Sequence, residues 1–135
     1  MKWVDTHCHL QLIDEALDSE NFHNIEFLII PGVDTESSLK AKEISSEMDL
    51  ESYWSAGLHP HDAKLLNSQR QSLENLFQEA DLIGETGLDF YRNLSTKEEQ
   101  LENFLFHLEH SKQLNKPIII HCRDSFQDTY DQLVE

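Results

Sequence analysis

Residues 117–124 read Pro117-Ile118-Ile119-Ile120-His121-Cys122-Arg123-Asp124, and this stretch decides the fold. Its apolar residues are continuous, not alternating, as in a strand covered on both faces. Working outward, five runs read as strands: residues 3–5, 26–30, 53–56, 82–85 and 118–121. Amphipathic helices lie between them. Leu73, Leu76, Phe77 and Ala80 follow the i, i+3, i+4, i+7 spacing, and Leu101, Phe104, Leu105 and Leu108 repeat it. The second of these helices opens on a capping box, Ser95 with Glu98 or Thr96 with Glu99. Asp124 with Gln127 reads as another helix start. A weaker helix over 39–48 carries only Ala41, Ile44 and Met48 on a shared stripe.

Alternating strands and helices with parallel strands define an α/β protein. Two architectures fit: a complete open five-stranded sheet, or a (β/α)8 TIM-type barrel truncated to about its first five β/α units. Five units in 135 residues average about 27 residues each. Eight would take about 220, close to the ~250 typical of such a barrel. The sequence stops at Leu133-Val134-Glu135, inside or at the end of a helix. The expectation is that residues 1–135 form the N-terminal portion of a single barrel domain. No linker, low-complexity stretch or close repeat interrupts the pattern.

Composition narrows the function classes. The chain has 26 Asp and Glu against 10 Lys and Arg, for a net charge of -16. Such a surface repels phosphate backbones, which excludes a passive coat on nucleic acid. It leaves room for a nuclease, because bound divalent ions reverse the field inside one pocket. With 39% hydrophobic residues, 4 Gly and 3 Pro, the chain is not collagen-like, disulfide-scaffolded or low-complexity. No apolar run approaches the ~20 residues of a bilayer span. Asp5, His7 and His9 follow the amino end where a signal peptide would be apolar, so a cytoplasmic location is expected. Cys8 and Cys122 are too few for a disulfide framework and would stay reduced there.

The chemistry gathers at strand ends. In Asp5-Thr6-His7-Cys8-His9, residues i and i+2 share a side, so His7 and His9 aim together and Cys8 faces away. Two neutral imidazoles converging on one point suit a divalent metal; the plainer reading is two partly exposed histidines. Ile83-Gly84-Glu85-Thr86-Gly87-Leu88-Asp89 sets Glu85 at a strand end between two glycines, where a buried carboxylate needs a cation or metal beside it. Asp89 reads as a helix N-cap or a surface salt bridge. His121 is a third metal-type ligand delivered to the same end. Gly57-Leu58-His59-Pro60-His61 adds His59 and His61, read as pocket lining or substrate contacts. Pro60 breaks the extended geometry there, so those two rings need not point together. His23, His107 and His110 are expected to face solvent.

Taken in order, Asp-Thr-His-Cys-His-Leu, Gly-Leu-His-Pro-His, Ile-Gly-Glu-Thr-Gly-Leu-Asp-Phe-Tyr and Lys-Pro-Ile-Ile-Ile-His-Cys-Arg-Asp resemble the TatD family of metal-dependent deoxyribonucleases. Gln100 and Phe104 resemble that family's helix before the fifth strand. The resemblance covers essentially the whole chain and implies an amidohydrolase-like TIM barrel with one or two divalent ions. By resemblance, His7, His9 and Glu85 would hold the first ion, with Glu85 also catalytic and bridging to a second ion bound by His121. The family pattern continues with a His on the sixth strand and an Asp on the eighth, beyond Glu135.

The resulting expectation is a divalent-metal-dependent hydrolase, with DNA phosphodiesters as substrate. The alternatives are an amidohydrolase-like ester, lactone or amide hydrolase, and an inactive half-barrel that binds metal or a partner chain. Mixed His and carboxylate ligands accept Zn, Mn, Mg or Ni alike. Unpaired apolar edges on the first and fifth strands would invite self-association.

Overall fold

A computed structural model describes residues 1–13 and 22–134. Five strands, β1 (Trp3–Asp5), β2 (Ile25–Pro31), β3 (Ser52–Ala56), β4 (Leu82–Asp89) and β5 (Ile118–Arg123), form one sheet. Among the described residues four α-helices cross between or follow them: α1 (Thr35–Glu47), α2 (Leu66–Glu79), α3 (Lys97–Leu114) and α4 (Phe126–Val134). All neighbouring strands are parallel and the spatial order is β1-β2-β3-β4-β5. Each strand is thus laid beside its predecessor in one direction, as in a barrel. A doubly wound open sheet would instead reverse its order at a switch point.

Apolar burial holds the helices on the sheet. Leu28, Ile30, Ala56, Leu73, Phe77 and Ile83 are fully or almost fully buried between the layers. Coverage on both faces does not extend to the edges. All three residues of β1 are exposed, and Ile118–His121 of β5 are half-buried, because among the described residues each strand has a neighbour on one side only. α1 begins earlier than its apolar stripe suggests. Asp34 accepts the Ser37 N–H at 2.7 Å in a reciprocal capping box, and the buried face starts with Ser37 and Ser38 before reaching Ala41. α3 does start at Thr96 with Glu99. Its buried stripe, however, is Gln100, Asn103, Phe104 and His107, not the leucines; Leu105 is exposed, with Leu101 and Leu108 half-buried. Asp124 stands outside α4 with φ 52°, and the first helical bond runs from Thr129 N–H to Ser125 O at 2.9 Å.

One irregularity positions the site. Between the pairs Ile83↔Ile118 and Thr86↔Ile120, β4 advances three residues while β5 advances two, a bulge at Gly84-Glu85. A bulge re-aims the side chain it carries. It also presses the two strands together. A Cβ at Gly84 (φ +118°) would lie 2.4 Å from Ile119 O, and one at Gly87 (φ +138°) 2.0 Å from His121 O. Only glycine meets both demands, positive φ and no Cβ.

Candidate metal centre

His7 and His9 leave the end of β1, Glu85 stands in the β4 bulge, and His121 lies in β5. The structure brings all four together, with Glu85 at the centre. Its Oε2 is 3.2 Å from His7 Nε2 and 3.4 Å from His9 Nε2, while its Oε1 is 3.2 Å from His121 Nδ1. His59 joins them from the loop after β3, with Nε2 3.2 Å from His121 Nδ1 and 4.0 Å from Glu85 Oε1. Two groups of ligand atoms therefore share one carboxylate. In each, His7–His9–Glu85 and His59–Glu85–His121, the atoms lie within 4.8 Å of one another. Sequence reasoning placed His59 with His61 as pocket lining. The turn that begins at Pro60 swings the two rings to 4.3 Å between centroids and sets His59 against His121.

Backbone contacts orient the imidazoles. His9 Nδ1 donates to Pro31 O at 2.9 Å, so in the neutral ring Nε2 carries the lone pair and points at Glu85. His121 Nε2 donates to Asp89 Oδ2 at 3.0 Å, which leaves Nδ1 as the lone-pair atom facing Glu85. At both places an imidazole lone pair meets a carboxylate oxygen, an approach that is repulsive unless a cation lies between them. A proton or a metal ion satisfies that demand. Accordingly the Glu85 contact raises the proton affinity of both His9 and His121 above that of free histidine. Burial alone would raise the Glu85 carboxyl, but hydrogen bonds from His121 and His9 and the charges of His59 and His7 outweigh it and hold Glu85 well below the carboxylate range. Burial, reinforced by His121, lowers His59 to about 4. Its Nδ1 accepts the His61 N–H at 3.2 Å, which puts the proton of neutral His59 on Nε2.

Two features were not read from the sequence. Asp89 is neither a surface salt bridge nor a helix cap, since it is fully buried at the end of β4. Its Oδ1 accepts the Tyr91 and Arg92 N–H groups, and its Oδ2 accepts from both His61 (2.8 Å) and His121 (3.0 Å). Burial raises this carboxyl, yet those donors hold it well below its usual range. Strand alternation contained the signal, because Glu85, Gly87 and Asp89 share a face if β4 runs on past Glu85. The other feature is His107. Expected in solvent, it is fully buried, accepting the Leu58 N–H on Nε2 at 3.1 Å and donating from Nδ1 to Asn103 O at 2.7 Å. His110 is half-buried against Phe106, whereas His23 is exposed. Cys8 does face away, donating to Ile29 O.

A cavity of about 500 Å³ opens over the cluster, lined by His7, His9, Val33, His59, His61, Asp62 and Glu85. A second, about 470 Å³, is bounded by Phe22, Ile25, Ile44 and Leu50, and among the described residues it assembles no metal-type cluster.

A family model described as TatD related DNase matches residues 4–135. The chain is 32% identical over 145 residues to an uncharacterized metal-dependent hydrolase, YcfH, of Escherichia coli (strain K12), covering 93% of this chain and 51% of that protein. It is 38% identical over 104 residues to the 3'-5' ssDNA/RNA exonuclease TatD of the same strain, covering 74% and 39%. The crystal structure of YJJV, a TatD homolog from Escherichia coli K12, superposes with a TM-score of 0.80 at 21% identity, covering 98% of this chain and 55% of that one. The chain spans about half the length, or less, of the curated relatives it matches.

Proposed function

Since the chain belongs to the family of TatD-related DNases, we propose that it is the N-terminal part of a metal-dependent hydrolase acting on nucleic-acid phosphodiesters. Residues 1–135 supply the first five β/α units of one barrel domain in this reading. The observation that carries it is the division of Glu85, with one carboxylate oxygen toward His7 and His9 and the other toward His121 and His59. The donor set fits a divalent ion, because neutral imidazole lone pairs and a carboxylate oxygen converge where positive charge is required. His7, His9 and Glu85 would hold one ion, and Glu85 with His121 a second. Zn, Mn, Mg and Ni all suit these ligands.

An ion bound there would supply Lewis-acid polarisation of the phosphate and lower the pKa of a coordinated water. The chain's own residues do the positioning. Pro31 O and Asp89 fix which nitrogen His9 and His121 present, and Glu85 keeps its negative charge throughout the neutral range. His59 stays neutral above about pH 4 with its Nε2–H toward His121 Nδ1 at 3.2 Å, and were that Nδ1 to hold an ion the N–H would be free for a phosphate oxygen in the cavity. His61, anchored by Asp89, lines the same wall.

The reading extends to location and assembly. Both cysteines are free thiols, and among the described residues no helix is long and apolar enough to cross a membrane, which supports a cytoplasmic protein. The unpaired edges of β1 and β5 support self-association.

The test is calorimetric titration of the purified chain with Mn or Zn, beside cleavage of a labelled single-stranded DNA. Metal binding lost in Glu85→Gln, with metal-dependent cleavage lost in His121→Ala, is the expected result. Slow turnover is expected, because the family's remaining His and Asp ligands do not come from residues 1–135. Hydrolysis of a model ester without DNA cleavage would favour the amidohydrolase alternative, and metal binding with neither activity an inactive half-barrel. Absence of any Glu85-dependent metal binding would overturn the reading.

A further inference from the structure

Gln100 is a fully buried amide in the first turns of α3, remote in sequence from every candidate ligand. Its Oε1 accepts the Asp89 N–H at 2.7 Å, and its Nε2 donates to Asp89 O at 3.1 Å and Ser95 O at 3.0 Å. Two bonds to one residue, a donor and an acceptor, are what a neighbouring strand would make. The sheet explains why a side chain does this. The β3–β4 ladder ends at Ala56↔Ile83, whereas β4 continues to Asp89. The Phe90 N–H turns toward β5, donating to Arg123 O at 2.9 Å, so the polar groups of Asp89 point the other way, where β3 no longer reaches. Gln100 stands in for the missing strand.

The consequence reaches the candidate site through the Asp89 side chain. With its peptide clamped from α3 and its Oδ1 occupied by the Tyr91 and Arg92 N–H groups, the carboxylate has one orientation open to it. Oδ2 then faces His61 Nε2 and His121 Nε2. A carboxylate oxygen accepts only, so it keeps the His121 proton on Nε2 and leaves Nδ1 as the lone-pair atom 3.2 Å from Glu85. We propose that Gln100 is a positioning residue for the candidate metal centre, acting through Asp89 to hold His121 with Nδ1 free for a metal ion. This rests on the metal reading above for its purpose and on the Gln100–Asp89–His121 geometry for its mechanism.

The two parts are tested separately. Gln100→Met removes the amide at similar volume. Long-range proton–nitrogen NMR of the histidine rings, in metal-free protein at a pH high enough to leave the rings neutral, reports which nitrogen is protonated. Wild type should show His121 with its proton on Nε2 and His9 with its proton on Nδ1. In Gln100→Met, His121 should become a tautomer mixture while His9 is unchanged, and Zn should bind about tenfold more weakly by calorimetry, in the range seen when outer partners of metal ligands are lost. A cooperative thermal transition checks folding. If Gln100→Met does not fold, Gln100→Glu, which keeps the acceptor for the Asp89 N–H and loses both donors, is measured the same way. A folded variant with His121 still protonated on Nε2 alone overturns the proposal. Failure of wild type to bind Zn sinks the metal reading, and the tautomer comparison still decides the role of Gln100.

Discussion

Acidification should weaken the fold through His107, which is not itself a candidate ligand. The imidazole is fully buried between α3 and the end of β3, and burial lowers it from the ordinary 6.5 to about 4. Above pH 6.5 neither the folded nor the unfolded chain carries a proton there, and the contribution to pH dependence is zero. Between pH 6.5 and 4 the unfolded chain binds a proton that the folded chain refuses, so stability is lost as pH falls. The full drop corresponds to about 3 kcal/mol. The perturbation is His107→Leu, compared with wild type by urea unfolding at pH 7.5 and pH 4.5. At pH 7.5 the variant should be less stable by about 1–3 kcal/mol, because the buried Leu58 N–H loses its acceptor. At pH 4.5 the gap should close or reverse, since the variant has no proton to refuse. Taking the difference between the two proteins removes the other titrating groups. Parallel loss of stability in both, with a constant gap, would refute the claim that a neutral buried His107 makes the fold acid-labile.

Gly87→Ala should cost about 3 kcal/mol or more in a denaturant titration, because its Cβ would sit 2.0 Å from His121 O at a φ of +138°; a loss under 1 kcal/mol would mean that the β4–β5 contact is not tight. Lys116→Met should destabilise by about 2 kcal/mol, since Nζ donates to the Phe77, Gln78 and Ala80 carbonyls at the end of α2; an unchanged unfolding midpoint would contradict that clamp. Sedimentation equilibrium should show concentration-dependent association, driven by exposed Trp3 and Val4 on β1 and Phe126 and Tyr130 on α4. Val4→Lys should reduce it, and a compact wild-type monomer at every concentration would count against the edge argument.

The strands and the first candidate ligands were legible because their signals are local. Continuous apolar runs locate β2 to β5 within a few residues, and a strand's end is where an α/β protein exposes its chemistry. His7 and His9 follow the end of β1, whereas Glu85 stands in the β4 bulge and His121 within β5, each short of its strand's end; placing all four toward the carboxyl ends was still enough to predict their convergence. Likewise Thr96 and Glu99 mark the start of α3 from a spacing of three. What sequence could not decide was which polar groups go inside. On α3 the leucines lie outward or half-buried, while Gln100, Asn103 and His107 are buried. Their partners are backbone groups of Asp89 and Leu58, in segments that only the fold brings near. Asp89 was misjudged for the same reason: a carboxylate is buried when enough donors surround it, and two of its four arrive from elsewhere in the fold, on His61 in the turn after β3 and on His121 in β5. His59 joined the ligand groups through a turn whose direction Pro60 alone does not specify. Apolar burial follows from periodicity along the chain, whereas polar burial depends on hydrogen-bond partners that only tertiary structure supplies.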